Sequence, residues 1–320
     1  MPDAHGLTSM SGERYRLRAG RYAAEVVQTG ATLRVLTIDD RDLILPFGLD
    51  EVRPHMRGAV MVPWPGRIED GRYTFDGEDH QLPLTEPASA TAIHGLMCWA
   101  SFTAVEQADD HVRLVALLLP QAGYPFALRC EITYTLSDRG LDVLVAATNV
   151  GDRPAPYGAA NHLYLVPGSG RVDDWTLTLD AGSYLTSPTP RFLPEGPFDV
   201  EGSGADFRTG RSIGGQELNH SFTRLGTDES GWAEARVAAP DGTGVLLRCD
   251  SAAPWLQVFS YDLPTDASRT GLAVEPMTCP PGAFNSGVDL VTLAPGDRHE
   301  FSMSVAAFDA STDTATEPHD

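Results

Sequence analysis

Glu275 stands where an apolar run, Leu272-Ala273-Val274, gives way to Pro276-Met277-Thr278-Cys279-Pro280-Pro281-Gly282. Prolines remove backbone donors and fix φ, so the segment reads as a buried strand that stops near Glu275 and continues as a stiff, irregular loop. A carboxylate in that place must be paired, partly hydrated or shifted in pKa. Each state suits a general base on a rigid support, and equally a strand-end Glu bonded to a neighbouring arginine or to solvent. His162 follows Gly158-Ala159-Ala160-Asn161 and precedes Leu163-Tyr164-Leu165. Small neighbours let a ligand or another backbone approach, and imidazole titrates near neutrality, so His162 suits an acid or base as well as a core His bonded to backbone. His94, between Ile93 and Gly95, marks a strand-to-loop step and reads as a structural His or a site residue. Arg67, in Pro65-Gly66-Arg67-Ile68, can offer its planar fork to ligand oxygens or to a surface carboxylate.

Other chemistries find little support. The nine histidines show no His-x-x-x-His, His-Glu-x-x-His or paired Cys/His spacing, so no metal site is expected. The Gly-Ser-Gly pieces at 168–170 and 202–204 lack the strand–helix setting of a dinucleotide loop, and no Gly-x-Ser-x-Gly nucleophile elbow is present. All 23 basic residues are arginine. Without lysine there is no Schiff base and no phosphate-loop Lys. A net charge of -21 argues against nucleic acid, whose binders cluster positive charge, and favours a neutral or weakly charged ligand. No apolar run approaches the length of a membrane span. Cys98, Cys130, Cys249 and Cys279 are far apart, and no secretory signal is evident, so buried, reduced thiols in a cytoplasmic protein are expected.

The elements that must hold these residues are short strands. Ala24–Val27, Leu33–Ile38, Val112–Leu119, Leu128–Leu136, Leu141–Asn149, Val245–Cys249, Trp255–Tyr261 and Phe301–Phe308 alternate or run apolar between turn residues, and few windows carry helical periodicity. Residues 1–12 read as a flexible N-terminus, 13–308 as one all-β domain, 186–215 as a long irregular excursion, and 309–320 as a disordered acidic tail. Trp64, Trp99, Trp255 and Tyr261 can stack on a sugar face or simply fill a core.

Taken in order, Arg57-Gly58-Ala59, Pro63-Trp64-Pro65-Gly66-Arg67-Ile68, Asp70-Gly71-Arg72-Tyr73, Ile93-His94-Gly95, Asn161-His162-Leu163-Tyr164 and Ala273-Val274-Glu275-Pro276-Met277-Thr278 resemble the aldose 1-epimerase (galactose mutarotase) family, from about Tyr22 to Phe308. The resemblance implies a single-domain, antiparallel β-supersandwich with a sugar cleft on its concave face. It implies Glu275 as general base and His162 as general acid on opposite sides of a sugar ring, with Arg67 and His94 on sugar oxygens and no metal or cofactor. In Glu217-Leu218-Asn219-His220-Ser221, Asn219 stands where the family pattern has aspartate; a neutral amide can still bond a hydroxyl, one end now donating. The expected activity is interconversion of α and β anomers of free hexoses. Two alternatives remain open. A hexose-6-phosphate mutarotase would use Arg53, Arg57, Arg67 and Arg72 as a clamp, and a non-catalytic carbohydrate-binding protein of the same fold would fit Asn219.

Overall fold

The computed structural model describes residues 9–262 and 268–309. Two large antiparallel sheets face each other. The first has nine strands in the order Thr103–Gln107, His111–Leu118, Leu128–Ser137, Gly140–Asn149, Arg298–Asp309, Thr243–Cys249, Ala233–Ala238, Thr176–Leu179 and Arg211–Ser212. The second runs Glu195–Asp199, Ala181–Thr186, Asn219–Leu225, Trp255–Phe259, Leu272–Met277, Ala160–Asn161 and Val60–Met61, with Tyr164–Leu165 also paired to Leu272–Met277. A smaller sheet of four strands, from Arg14–Ala19 to Arg41–Asp42, packs against Leu128–Ser137. The expected all-β sandwich is therefore what the chain builds.

Period-two patterning explains the layers. Leu128, Cys130, Ile132 and Tyr134 point inward from the nine-stranded sheet and join Leu256, Val258, Leu272 and Val274 of the other sheet in one continuous core. Thr133 and Thr135 alternate with them on the outer face. One core under both sheets makes a single domain. No helix among the described residues is long and apolar enough to cross a membrane.

Several segments differ from expectation. The strand expected to stop near Glu275 runs on to Met277, through Pro276. Pro276 is tolerated because it lies beside the break between Ala160–Asn161 and Tyr164–Leu165, where no ladder bond is asked of it. Beyond it, Ala283–Ser286 forms one helical turn rather than irregular loop. The 186–215 excursion contains Glu195–Asp199, which pairs with Ala181–Thr186, and Arg211–Ser212. Within the expected flexible N-terminus, Ser9 and Ser11 are buried and the Met10 N–H donates to Leu49 O at 2.9 Å. Asp309 still pairs with Thr243. The remaining parts of both terminal expectations, 1–8 and 310–320, lie outside the described residues.

Candidate active site

Directly paired residues in an antiparallel sheet point to the same face. Trp255, Gln257 and Phe259 pair with Met277, Glu275 and Ala273, so these six share a face, the one turned away from the sandwich core. Ser221 pairs with Gln257 and extends that row. On the other flank Ala160 pairs with Met277 and Tyr164 with Ala273, which puts position 162 opposite Glu275. Two residues far apart in sequence are thereby made neighbours by register alone. His162 interrupts the ladder locally: its N–H donates to Ala59 O (2.9 Å) and its carbonyl accepts from Gly58 N–H (2.8 Å).

His162 Nε2 lies 3.4 Å from Glu275 Oε1, and both side chains are more than nine-tenths buried. The expectation of a carboxylate and an imidazole on opposite sides of a ring is corrected: the two touch. Glu275 sits between two small apolar clusters, Met61, Ala160, Trp255 and Met277 on one side and Tyr164, Tyr261 and Ala273 on the other. Burial among them pushes its carboxyl up to about 8, against a smaller pull downward from Arg67. Burial likewise drives His162 down to about 3, reinforced by the positive charge of Arg53. Both shifts run toward the uncharged forms, so burial favours a proton on Glu275 over a proton on His162.

His94 meets the His162 ring edge-on at 5.2 Å. It is delivered by the ribbon in which Arg67–Glu69 pairs with Thr91–Ile93, and it adopts φ 60 as the chain turns back against Val62. Gly95 makes that turn possible: at φ 74 a Cβ there would lie 2.2 Å from Val62 O. Burial, then His162, Arg67 and Arg53, hold His94 well below its ordinary pKa, so it is neutral. Arg67 enters from the same ribbon, but Glu86 takes two corners of its fork, at Nε (2.6 Å) and Nη2 (2.9 Å). Phe192 covers the guanidinium at 4.7 Å. Burial pushes Glu86 upward, yet Arg67, Ser89 and Thr91 outweigh it and the carboxyl ends below its ordinary value. Asn219 is held at both ends: Oδ1 accepts from Gln257 Nε2 (2.8 Å) and Nδ2 donates to Ser187 O (3.0 Å).

All five residues singled out in the sequence thus reach one region. Glu86, Gln257, Tyr164 and Phe192 were not singled out. Gln257 left a signal, a lone amide in the apolar run Trp255-Leu256-Gln257-Val258-Phe259; Glu86 left none. The four arginines close in sequence are each engaged by protein groups. Arg53 is buried on Thr32 Oγ1 and Cys98 O, and Arg57 holds Pro46 O and the Tyr261 hydroxyl. Arg67 is on Glu86 and Arg72 is on Gln81. Among the described residues no group of three or more His, Cys, Asp or Glu is placed to hold a metal ion.

Comparison with known proteins agrees with this architecture. The Escherichia coli K12 protein YihR is 35% identical over 296 residues, covering 92% of this chain and 93% of the relative. Mouse galactose mutarotase is 24% identical, covering 92% and 94% of the two chains. Among solved structures, an aldose epimerase homologue from C. elegans superposes with a TM-score of 0.81 at 20% identity, over 93% of this chain and 99% of that one. Galactose 1-epimerase from Lactobacillus acidophilus gives 0.77 at 21% identity, over 92% and 93%; at such identities the likeness is one of fold. The aldose 1-epimerase family model matches residues 13–306, nearly the whole chain, and the chain belongs to that family.

Proposed function

We propose that the protein is a mutarotase that interconverts the α and β anomers of free hexoses, with Glu275 as base, His162 as acid, and Arg67, His94 and Asn219 on sugar oxygens. The observation that carries this reading is the buried 3.4 Å contact between His162 Nε2 and Glu275 Oε1. The anomeric hydroxyl and the ring oxygen are both bonded to C1, so acid and base need to stand side by side.

For ring opening the Glu275 carboxylate takes the proton of the anomeric hydroxyl while the His162 imidazolium protonates the ring oxygen, and the C1–O5 bond breaks. The open aldehyde turns about C1–C2. Closure returns the C5 hydroxyl proton to His162 and the Glu275 proton to the former carbonyl oxygen. Opening leaves the proton on Glu275, which is the arrangement burial already favours at rest. Closure restores the Glu275 carboxylate and the His162 imidazolium, so one transfer across the 3.4 Å contact is needed only to bring the resting pair into the opening form. Proton transfers complete the reaction, so this reading calls for no metal or cofactor.

Engagement of Arg53, Arg57, Arg67 and Arg72 by protein groups supports an unphosphorylated sugar over a hexose 6-phosphate. Four free, buried cysteines fit a reducing, cytoplasmic setting. Polarimetry of freshly dissolved α-glucose, α-galactose and glucose 6-phosphate tests the proposal. Wild type should speed the relaxation of free hexoses, and Glu275→Gln should leave it at the spontaneous rate. Equal relaxation by both proteins would overturn the assignment, and saturable sugar binding without any acceleration would make the chain a binding protein.

A further inference from the structure

An imidazole that carries protons is ordinarily held by a hydrogen bond from its second nitrogen to a carboxylate or carbonyl, which fixes both tautomer and ring plane. His162 lacks that support. Its Nδ1 is buried and makes no hydrogen bond among the described residues. Ring contacts stand in the place of that bond. Tyr164 lies nearly parallel to the imidazole, with centroids 5.0 Å apart and planes at 18°, while His94 meets the ring edge-on. Tyr164 is itself fixed: its hydroxyl donates to His55 O at 3.2 Å, and Tyr261 packs edge-on at 4.8 Å. The Tyr261 hydroxyl in turn accepts from Arg57 Nη2 at 2.9 Å, and Arg57 Nη1 donates to Pro46 O at 2.8 Å. A brace therefore runs from the 46–57 segment through two tyrosines to one face of His162.

We infer that Tyr164 is the positioning residue that sets the plane of His162 and keeps Nε2 on Glu275, with Tyr261 and Arg57 as its backing. The inference rests on the reading of His162 as the proton carrier. Rotation about the last side-chain bond of a His is broad and two-fold, so an imidazole without a second hydrogen bond has no intrinsic preference for one plane. A parallel ring against its face supplies that preference and leaves the edge bearing Nε2 free to meet Glu275. The Tyr164 hydroxyl holds the tyrosine and not the histidine, so the ring and the hydroxyl contribute separately.

Tyr164→Phe retains the ring and loses the His55 contact; Tyr164→Leu retains much of the bulk and loses the plane. The first readout is the side-chain ¹⁵N spectrum of His162 in ligand-free protein, which needs no turnover. Wild type and Tyr164→Phe should show one neutral tautomer, and Tyr164→Leu should show averaged nitrogens. The second readout is polarimetric kinetics: Tyr164→Leu should lose on the order of 10²-fold in kcat with KM little changed, as expected for a misaimed proton carrier, and Tyr164→Phe should restore most of it. A folded Tyr164→Leu protein with the wild-type His162 spectrum and kcat would overturn the inference, as would Tyr164→Phe behaving like Tyr164→Leu. If Tyr164→Leu does not fold, Tyr261→Leu, which leaves Tyr164 in place without its backing, should show partial averaging, and an unchanged spectrum there would overturn it. If wild type accelerates no sugar, the mutarotase reading fails while the spectra still decide the brace.

Discussion

Replacing Glu275 by Gln should remove activity and stabilise the protein, and the second effect can be worked out. Burial raises the Glu275 carboxyl from its ordinary 4.5 to about 8. The folded state therefore binds this proton more tightly than the unfolded state. Below pH 4.5 both states are protonated and the group has no net effect. As pH rises, the unfolded chain ionises while the folded chain does not, so stability falls until the folded group also titrates near pH 8. The slope is about 1.4 kcal/mol per pH unit. At pH 7 the accumulated loss is about 3 kcal/mol. Glutamine has a similar shape and no proton to lose, so it escapes this term, and the gain corresponds to a rise in Tm of roughly 4–6 °C for a domain of this size. Urea denaturation of both proteins at several pH values between 5 and 8 measures the difference directly. The advantage of Glu275→Gln over wild type should be smallest at pH 5 and grow as pH rises. A stability difference that does not change with pH would refute the argument that desolvation raises this carboxyl.

Turnover should fall as pH rises through about 8, because the His162–Glu275 pair then loses its last proton, and again towards pH 3, where His162 gains a second proton and no base remains; pH–rate profiles with corrections for spontaneous mutarotation check both limbs. Gly95→Ala forces a Cβ to 2.2 Å from Val62 O at φ 74, and should cost about 3 kcal/mol or more, read as a large drop in Tm with loss of activity through displaced His94. Asn219→Asp loses the donor to Ser187 O and sets a carboxylate beside that carbonyl; a loss of about 1–3 kcal/mol is expected by denaturation, with an altered KM across a panel of hexoses.

Much of the site could be read from the chain. Glu275 was legible because a carboxylate follows three apolar residues and precedes prolines, and His162 because small residues surround it. Their mutual contact was not legible. It depends on Leu272–Met277 pairing with two separate short strands in one continuous register across the His162 interruption. Arg67 was legible as a candidate fork, yet its partner Glu86 sits in a loop with no distinguishing pattern, 19 residues on. Asn219 showed itself as a departure from the family pattern, whereas only the fold reveals that Gln257 and Ser187 occupy both ends of its amide.

The sequence by itself determined the all-β class, the absence of lysine chemistry and the candidates for moving protons, which follow from residue type and local alternation, and the family, which follows from the order of its short motifs. Tertiary structure decided which of those residues meet, in what protonation state, and against what support. Register across a sheet places residues far apart in sequence side by side. Burial, which no single segment controls, favours the uncharged form of each member of the His162–Glu275 pair, and packing of Tyr164 against Tyr261 supplies the face on which His162 lies.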